Sequence, residues 1–161
     1  MAARPEAGSA NTAALRALTL GLRQVILGSE HFRRSLAAQL GVGGSEMIVL
    51  AHLESVGTCT PREVAELLDF SSGSTTAILD RAEAAGFVAR EPNAADRRSV
   101  LIGLTPLGRS TMMWVRAQSD HHIGLALEHH SPEVLADLAE LLRDLGTRFA
   151  HAEPAGPPPT S

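Results

Sequence analysis

TPREVAELLDFSSGSTTAILDRAEAAGFVAREPNAADRRSVLIGLTPLGR, residues 60–109, is the stretch whose punctuation decides the fold. Thr60 can cap the free amides of a new helix, Pro61 suits a first turn that needs no donor, and Glu63 can reach back to close a capping box. A short helix to about Leu68 follows. Asp69-Phe70-Ser71-Ser72-Gly73 then breaks the pattern, Ser71 or Ser72 offers a second cap, and apolar positions resume at Ala77, Ile78 and Ala82 until Gly86. Two short helices therefore meet at a tight turn. Beyond Gly86 the period changes to two. Phe87 to Glu91 and Val100 to Leu104 read as paired strands joined by the polar loop Pro92-Asn93-Ala94-Ala95-Asp96-Arg97-Arg98.

Longer helices flank this segment. Apolar residues recur every three or four positions at Leu15, Leu18, Leu22, Val25, Ile26, Phe32, Leu36 and Leu40, which predicts one amphipathic helix from Asn11 to Leu40, with Gly41 placed to stop it. Gly21 and Gly28 weaken it by roughly 1 kcal/mol each relative to Ala, so something must pack against it. A second helix is expected from Gly44 to Ser55, with Met47, Leu50, Ala51 and Leu53 inward. On the other side, Thr105-Pro106 starts a helix running to about Glu128, with Met112, Val115, Ile123 and Leu127 among its apolar positions. Ser131-Pro132 starts the last, with Val134, Leu135, Leu138, Leu141, Leu142, Leu145 and Phe149 inward. The ends, 1–10 and 151–161, are rich in Ala, Pro, Gly and Ser and are expected to be disordered tails.

Composition narrows the function classes. The chain has 161 residues, 44% of them hydrophobic and 20% charged, which fits one folded domain and neither a fibre nor a disordered chain. Aromatics are only 3%, which disfavours sandwiches and barrels built on aromatic cross-strand pairs. A net charge of -4 gives no overall field for nucleic acid or an anionic membrane, so any such role must be local. Residues 60–109 hold six Arg against seven acids, whereas Arg90 to Arg109 hold four Arg against Glu91 and Asp96 alone. Positive charge is thus concentrated around the hairpin, where it can meet a phosphate backbone. No run of about 18 apolar residues exists for a membrane span, and a cytoplasmic protein without membrane partners is expected.

Helix, turn, helix and a hairpin with a charged tip is the order of a winged helix-turn-helix. From Glu66 to Arg109 the sequence is similar to the DNA-binding lobe of the MarR family of bacterial transcriptional regulators. The similarity is carried by Asp80-Arg81, by Gly86-Phe87-Val88-x-Arg90, by Asp96-Arg97-Arg98, and by Leu104-Thr105-Pro106-x-Gly108-Arg109. With the flanking helices it covers roughly residues 11–150. It implies a mainly α protein with a small β-hairpin wing, its winged helix-turn-helix domain (44–109) flanked by dimerisation helices at 11–43 and 110–150. Ala77 departs from the basic or larger polar residue often found there, and Ala82 from the usual Leu.

The implied activity is that of a homodimeric repressor that binds double-stranded DNA at a pseudo-palindromic operator and is released by a small aromatic or phenolic effector. Ser71, Ser72, Ser74, Thr75 and Thr76 present short hydroxyls where the second helix of the pair would enter a major groove. Arg81 and Arg90 are further expected DNA contacts. By resemblance, Arg97 enters the minor groove, and Arg98, a DNA contact as well, pairs with Asp80 to tie the wing to the recognition helix; Asp96 helps anchor the wing. Phe32, Met47, His52 and Trp114 are expected to line the effector pocket.

Other chemistries have thinner support. His122 and His129 would lie about 10 Å apart along one helix at 1.5 Å per residue, so a zinc-responsive regulator would need His31 or Glu30 brought in, and no metal or other cofactor is expected. Cys59, just before a helix N-terminus, is a candidate low-pKa thiol, although thiol sensors of the family carry theirs near the chain start. A winged-helix module that binds protein instead of DNA is the alternative from another class, permitted by the acidic balance. Gly41-Val42-Gly43-Gly44-Ser45-Glu46 lacks the third glycine and the lysine of a phosphate loop, and no nucleophile motif is present, so an enzyme is not expected.

Overall fold

Every cap signal between Thr60 and Pro132 is used where the sequence places it. The computed structural model describes residues 7–96 and 99–153. Its elements are α1 (Ala7–Leu40), α2 (Gly44–Val56), β1 (Thr58–Cys59), α3 (Pro61–Leu68), α4 (Ser72–Ala84), β2 (Val88–Pro92), β3 (Val100–Leu104), α5 (Pro106–Leu127) and α6 (Pro132–Ala150). The fold is mainly helical with a small antiparallel sheet. At the start of α3 the Glu63 amide donates to Thr60 Oγ1 at 3.3 Å and the Thr60 amide donates to Glu63 Oε2 at 2.6 Å, completing the capping box. That backbone hydrogen bond, foremost, holds the Glu63 carboxyl below its ordinary pKa. Asp69, with φ 53°, ends α3 in the left-handed region, and Ser71 caps α4 by accepting from the Ser74 amide at 3.3 Å.

The sheet has three strands in the order β1-β3-β2, where the sequence predicts two. β2 and β3 pair from Val88↔Leu104 to Pro92↔Val100, and β1 adds to the far side of β3 through Thr58↔Gly103 and Cys59↔Ile102. Two residues between the glycine that ends α2 and the cap of α3 carry no alternation to read, which is why β1 is silent in the sequence. Its effect is large, because it makes β3 the central strand and leaves Ile102 fully buried.

Gly108 explains the Thr-Pro-x-Gly signature. Thr105 donates its hydroxyl to the Gly86 carbonyl at 2.6 Å, its amide donates to the Phe87 carbonyl at 3.0 Å, and α5 starts pressed against that turn. A Cβ at Gly108 would lie 2.0 Å from the Phe87 carbonyl oxygen, so no other residue permits this approach.

The chain divides into two compact units after Val115. In the first, Leu36, Met47, Leu50, Leu53, Val64, Leu79, Ile102 and Met112 belong to one buried cluster. Two expected inward positions face out: Ala51 gives way to Val49 on α2, and Ala77 to Leu79 on α4. Ala82 is fully buried, so the small residue sits within the packed core. The inward face predicted for α1 is buried only near its C-terminal end, at Leu36, while Leu15, Leu18, Val25 and Ile26 are exposed. In the second unit α6 has no buried residue at all, and Val134, Leu138, Leu141, Leu142 and Phe149 are exposed, contrary to the inward reading. Their spacing is that of a buried stripe, yet among the described residues it stays largely uncovered. Among the described residues no single helix is long and apolar enough to cross a membrane.

Candidate nucleic-acid interface

The N-terminal end of α4 presents hydroxyls outward because Ile78, Leu79 and Ala82 anchor its other face in the core. Ser71, Ser72, Ser74 and Thr76 are exposed. Ser71 Oγ and Ser74 Oγ lie 3.1 Å apart, and the Thr76 hydroxyl donates to the Ser72 carbonyl at 2.9 Å, so the hydroxyls of Ser71, Ser74 and Thr76 have defined orientations. Thr75 is the exception. It is 1% exposed and donates its hydroxyl to the Ser71 carbonyl at 3.0 Å, which removes it from the surface the sequence assigns it to.

The described arginines of this region are engaged within the protein. Arg90, on β2, donates to Asp80 Oδ1 at 2.7 Å and also to Glu83 Oε2, both on α4. The hydrogen bond to Asp80 leads the causes that raise its already high pKa, so it stays cationic. Arg90 therefore ties the wing to α4, which engages the guanidinium that the sequence reading assigns to DNA. Asp80 pairs with Arg90, because the β2 register places that guanidinium beside the last turns of α4. Arg97 and Arg98, and with them the proposed Arg98–Asp80 pair, lie outside the described residues.

Arg81 donates Nε to Glu46 Oε1 at 2.5 Å, while 60% of its side chain remains exposed. Arg62 pairs with Glu66 on the exposed face of α3, and Arg109 donates to the Leu104 carbonyl. At the wing tip the Asn93 side chain donates to Ser99 Oγ at 2.9 Å and accepts from the Ala95 amide at 2.9 Å, while the Ser99 amide donates to the Asp96 carbonyl at 3.0 Å. Asp96 thus shapes the tip through its backbone. Glu46, Glu83 and Asn93 are shaping residues the sequence reading passed over. An acid one residue before the apolar run Met47–Ala51 was the available signal for Glu46.

The other candidate residues separate. Met47 is buried in the core, Phe32 packs against that core, His52 is half-buried and Trp114 is exposed. Cys59 is buried on β1, and burial, aided by the nearby Glu63 carboxylate, pushes its thiol up to about 11. That is opposite to the shift a thiolate sensor needs, since the neighbouring helix end is outweighed by desolvation. His129 falls beyond the end of α5 and lies 3.2 Å from Glu128, and among the described residues no three His, Cys, Asp or Glu groups converge on one point.

Residues 40–99 match the family described as MarR. An HTH-type transcriptional regulator of Bacillus subtilis, YfiV, is 34% identical over 115 residues, covering 71% of this chain and 72% of its own length. The transcriptional repressor MdtR of the same organism is 34% identical over 68 residues, 42% of this chain and 44% of its own. Among solved structures, a MarR family protein from Bacillus stearothermophilus superposes with a TM-score of 0.74 at 22% identity, over 86% of this chain and 97% of that one. With the helix pair, the wing and its tie to α4 in place, the chain belongs to the MarR family of winged-helix transcriptional regulators, which are DNA-binding factors and not enzymes.

Proposed function

We propose that the protein is a homodimeric repressor that holds a pseudo-palindromic operator and releases it when a small aromatic or phenolic molecule binds. The observation that carries this reading is the split in the molecule's apolar surface. The winged segment closes its core with the end of α1 and the start of α5, whereas Leu15, Leu18, Val25, Ile26, Leu138, Leu141 and Leu142 repeat on helical faces that are left exposed. Exposed apolar faces of this extent favour a second copy, so residues 11–43 and 110–150 are assigned to dimerisation. A two-fold dimer sets two recognition helices about 34–36 Å apart, one turn of DNA, and matches protein symmetry to operator symmetry.

In this reading Ser71, Ser72, Ser74 and Thr76 meet phosphates and base edges, and Arg97 and Arg98 at the wing tip contact the neighbouring backbone and minor groove. The B. subtilis relative named a repressor supports the sign of regulation. Phe32, His52 and Trp114 retain the exposed surface an effector needs. The test is selection of bound sequences from random duplexes at near-physiological salt. An inverted repeat with half-sites about one turn apart is expected, bound with affinity that falls steeply between about 50 and 200 mM salt. Arg97→Ala should weaken all sequences alike, and substitution of Thr76 should alter the preferred sequence. No enrichment would overturn the reading.

A further inference from the structure

Glu46 is the only acidic side chain in the described core, with 5% of its side chain exposed. It stands in the first turn of α2, immediately after the chain bends by 98° out of α1. One oxygen, Oε1, accepts from Arg81 Nε at 2.5 Å, across 35 residues of sequence, in the last turn of α4. The other, Oε2, overlies Gly43, where a Cβ would lie 2.3 Å from it and 3.3 Å from the carboxyl carbon. The backbone of Gly43, at φ -77°, is open to any residue, so a side chain added there would meet the Glu46 carboxylate and would force it to shift.

We infer that Glu46 is a positioning residue: its carboxylate, seated over Gly43, ties the recognition helix α4 to the α1–α2 bend and thereby sets DNA affinity without touching DNA. A buried carboxylate cannot readily lose its partner, and the guanidinium fork is directional, so α4 must follow any movement of the start of α2. The C-terminal half of α4 is then held from two sides, by Glu46 through Arg81 and by Arg90 through Asp80 and Glu83. Its hydroxyl-bearing N-terminal end is aimed by those two ties. A shift at the α1–α2 bend therefore has a direct physical route to the recognition helix.

The inference rests on the reading of α4 as the recognition helix, so the experiment has one readout that needs no DNA. Glu46→Gln removes the charge and keeps an acceptor; Gly43→Ala leaves both charges in place and displaces the carboxylate. In each, backbone amides of residues 72–84 should exchange faster than in the unaltered chain, with residues 61–68 unchanged. Each should bind the selected inverted-repeat duplex about 3- to 30-fold more weakly at temperatures well below melting. The salt slope should be unchanged, since no phosphate contact is removed, and the double variant should be no weaker than Glu46→Gln alone. Unchanged exchange in α4, additive losses, affinity within twofold of the unaltered chain, or a slope lower by about 0.9 would each overturn the tie, the last by making Arg81 a phosphate contact. If the unaltered chain bound no duplex, the regulator reading would fail while the exchange pattern still decided the tie.

Discussion

The winged segment and the final helix both carry apolar periodicity and end in opposite states. Between Gly44 and Leu104 the periodic residues find partners within the chain: Leu50, Leu53, Val64, Leu79 and Ile102 are buried, and a third strand closes the sheet. In α6, Val134, Leu138, Leu141, Leu142 and Phe149 keep the spacing of a buried stripe while every one of them stays exposed. Periodicity thus reports that a face is meant to be covered, and not what covers it. The winged segment closes a core together with the end of α1 and the start of α5, whereas the terminal helix leaves its stripe uncovered among the described residues.

The sharpest way to break this contrast is a charge on the uncovered face. Leu138→Glu, placed where a single chain tolerates it and a partner would not, should convert a dimer to monomer in sedimentation equilibrium and weaken operator binding by at least about 30-fold. The secondary structure should persist. A dimer unaffected by this change would show that the α6 stripe is not the interface.

The converse change strikes the closed core. Ile102→Ala, on the central strand, should cost about 2–5 kcal/mol in thermal or denaturant unfolding through lost burial and the cavity left behind. A cost under 1 kcal/mol would mean that β3 is not the centre of a sealed sheet.

The smallest effect sharpens the boundary of that core. Cys59 should resist alkylation between pH 7 and 8 in the folded protein and react on unfolding. Its thiol holds a proton in the folded state up to about 11 against 9.0 in the free side chain, so the folded state binds more protons between those values. Stability should therefore fall as pH rises from about 9 toward about 11, and Cys59→Ala should flatten that part of the profile. Fast alkylation of the folded chain at neutral pH would place β1 outside the core.

Local chemistry made most of the elements legible. Thr60-Pro61-x-Glu63, Ser71, Thr105-Pro106 and Ser131-Pro132 mark helix starts, because free amides at a helix end select a hydroxyl and a residue without a donor. The change of period at Phe87 marks the hairpin, although β2 begins one residue later and runs on to Pro92. The candidate site was legible in outline only. The hydroxyl cluster was visible, but Thr75 turns inward because its position on α4 faces the core, a fact of helix phase against a particular neighbour. Arg90 and Asp80 were both singled out, yet their pairing with each other depends on the register of β2.

By itself the sequence determined the helix starts that carry a cap, the turn between α3 and α4, the hairpin and the family, since these follow from capping, periodicity and spacing within a few residues along the chain; α1, whose start carries no cap signal, begins at Ala7 and not at the expected Asn11, inside the stretch 1–10 expected to be a tail. Only the tertiary structure decided that β1 joins the sheet, that Glu46 reaches Arg81, that Met47 and Cys59 are sealed, and that the terminal apolar faces stay open. Those outcomes depend on contacts between residues far apart in sequence, and no local pattern encodes which distant surface a side chain will meet.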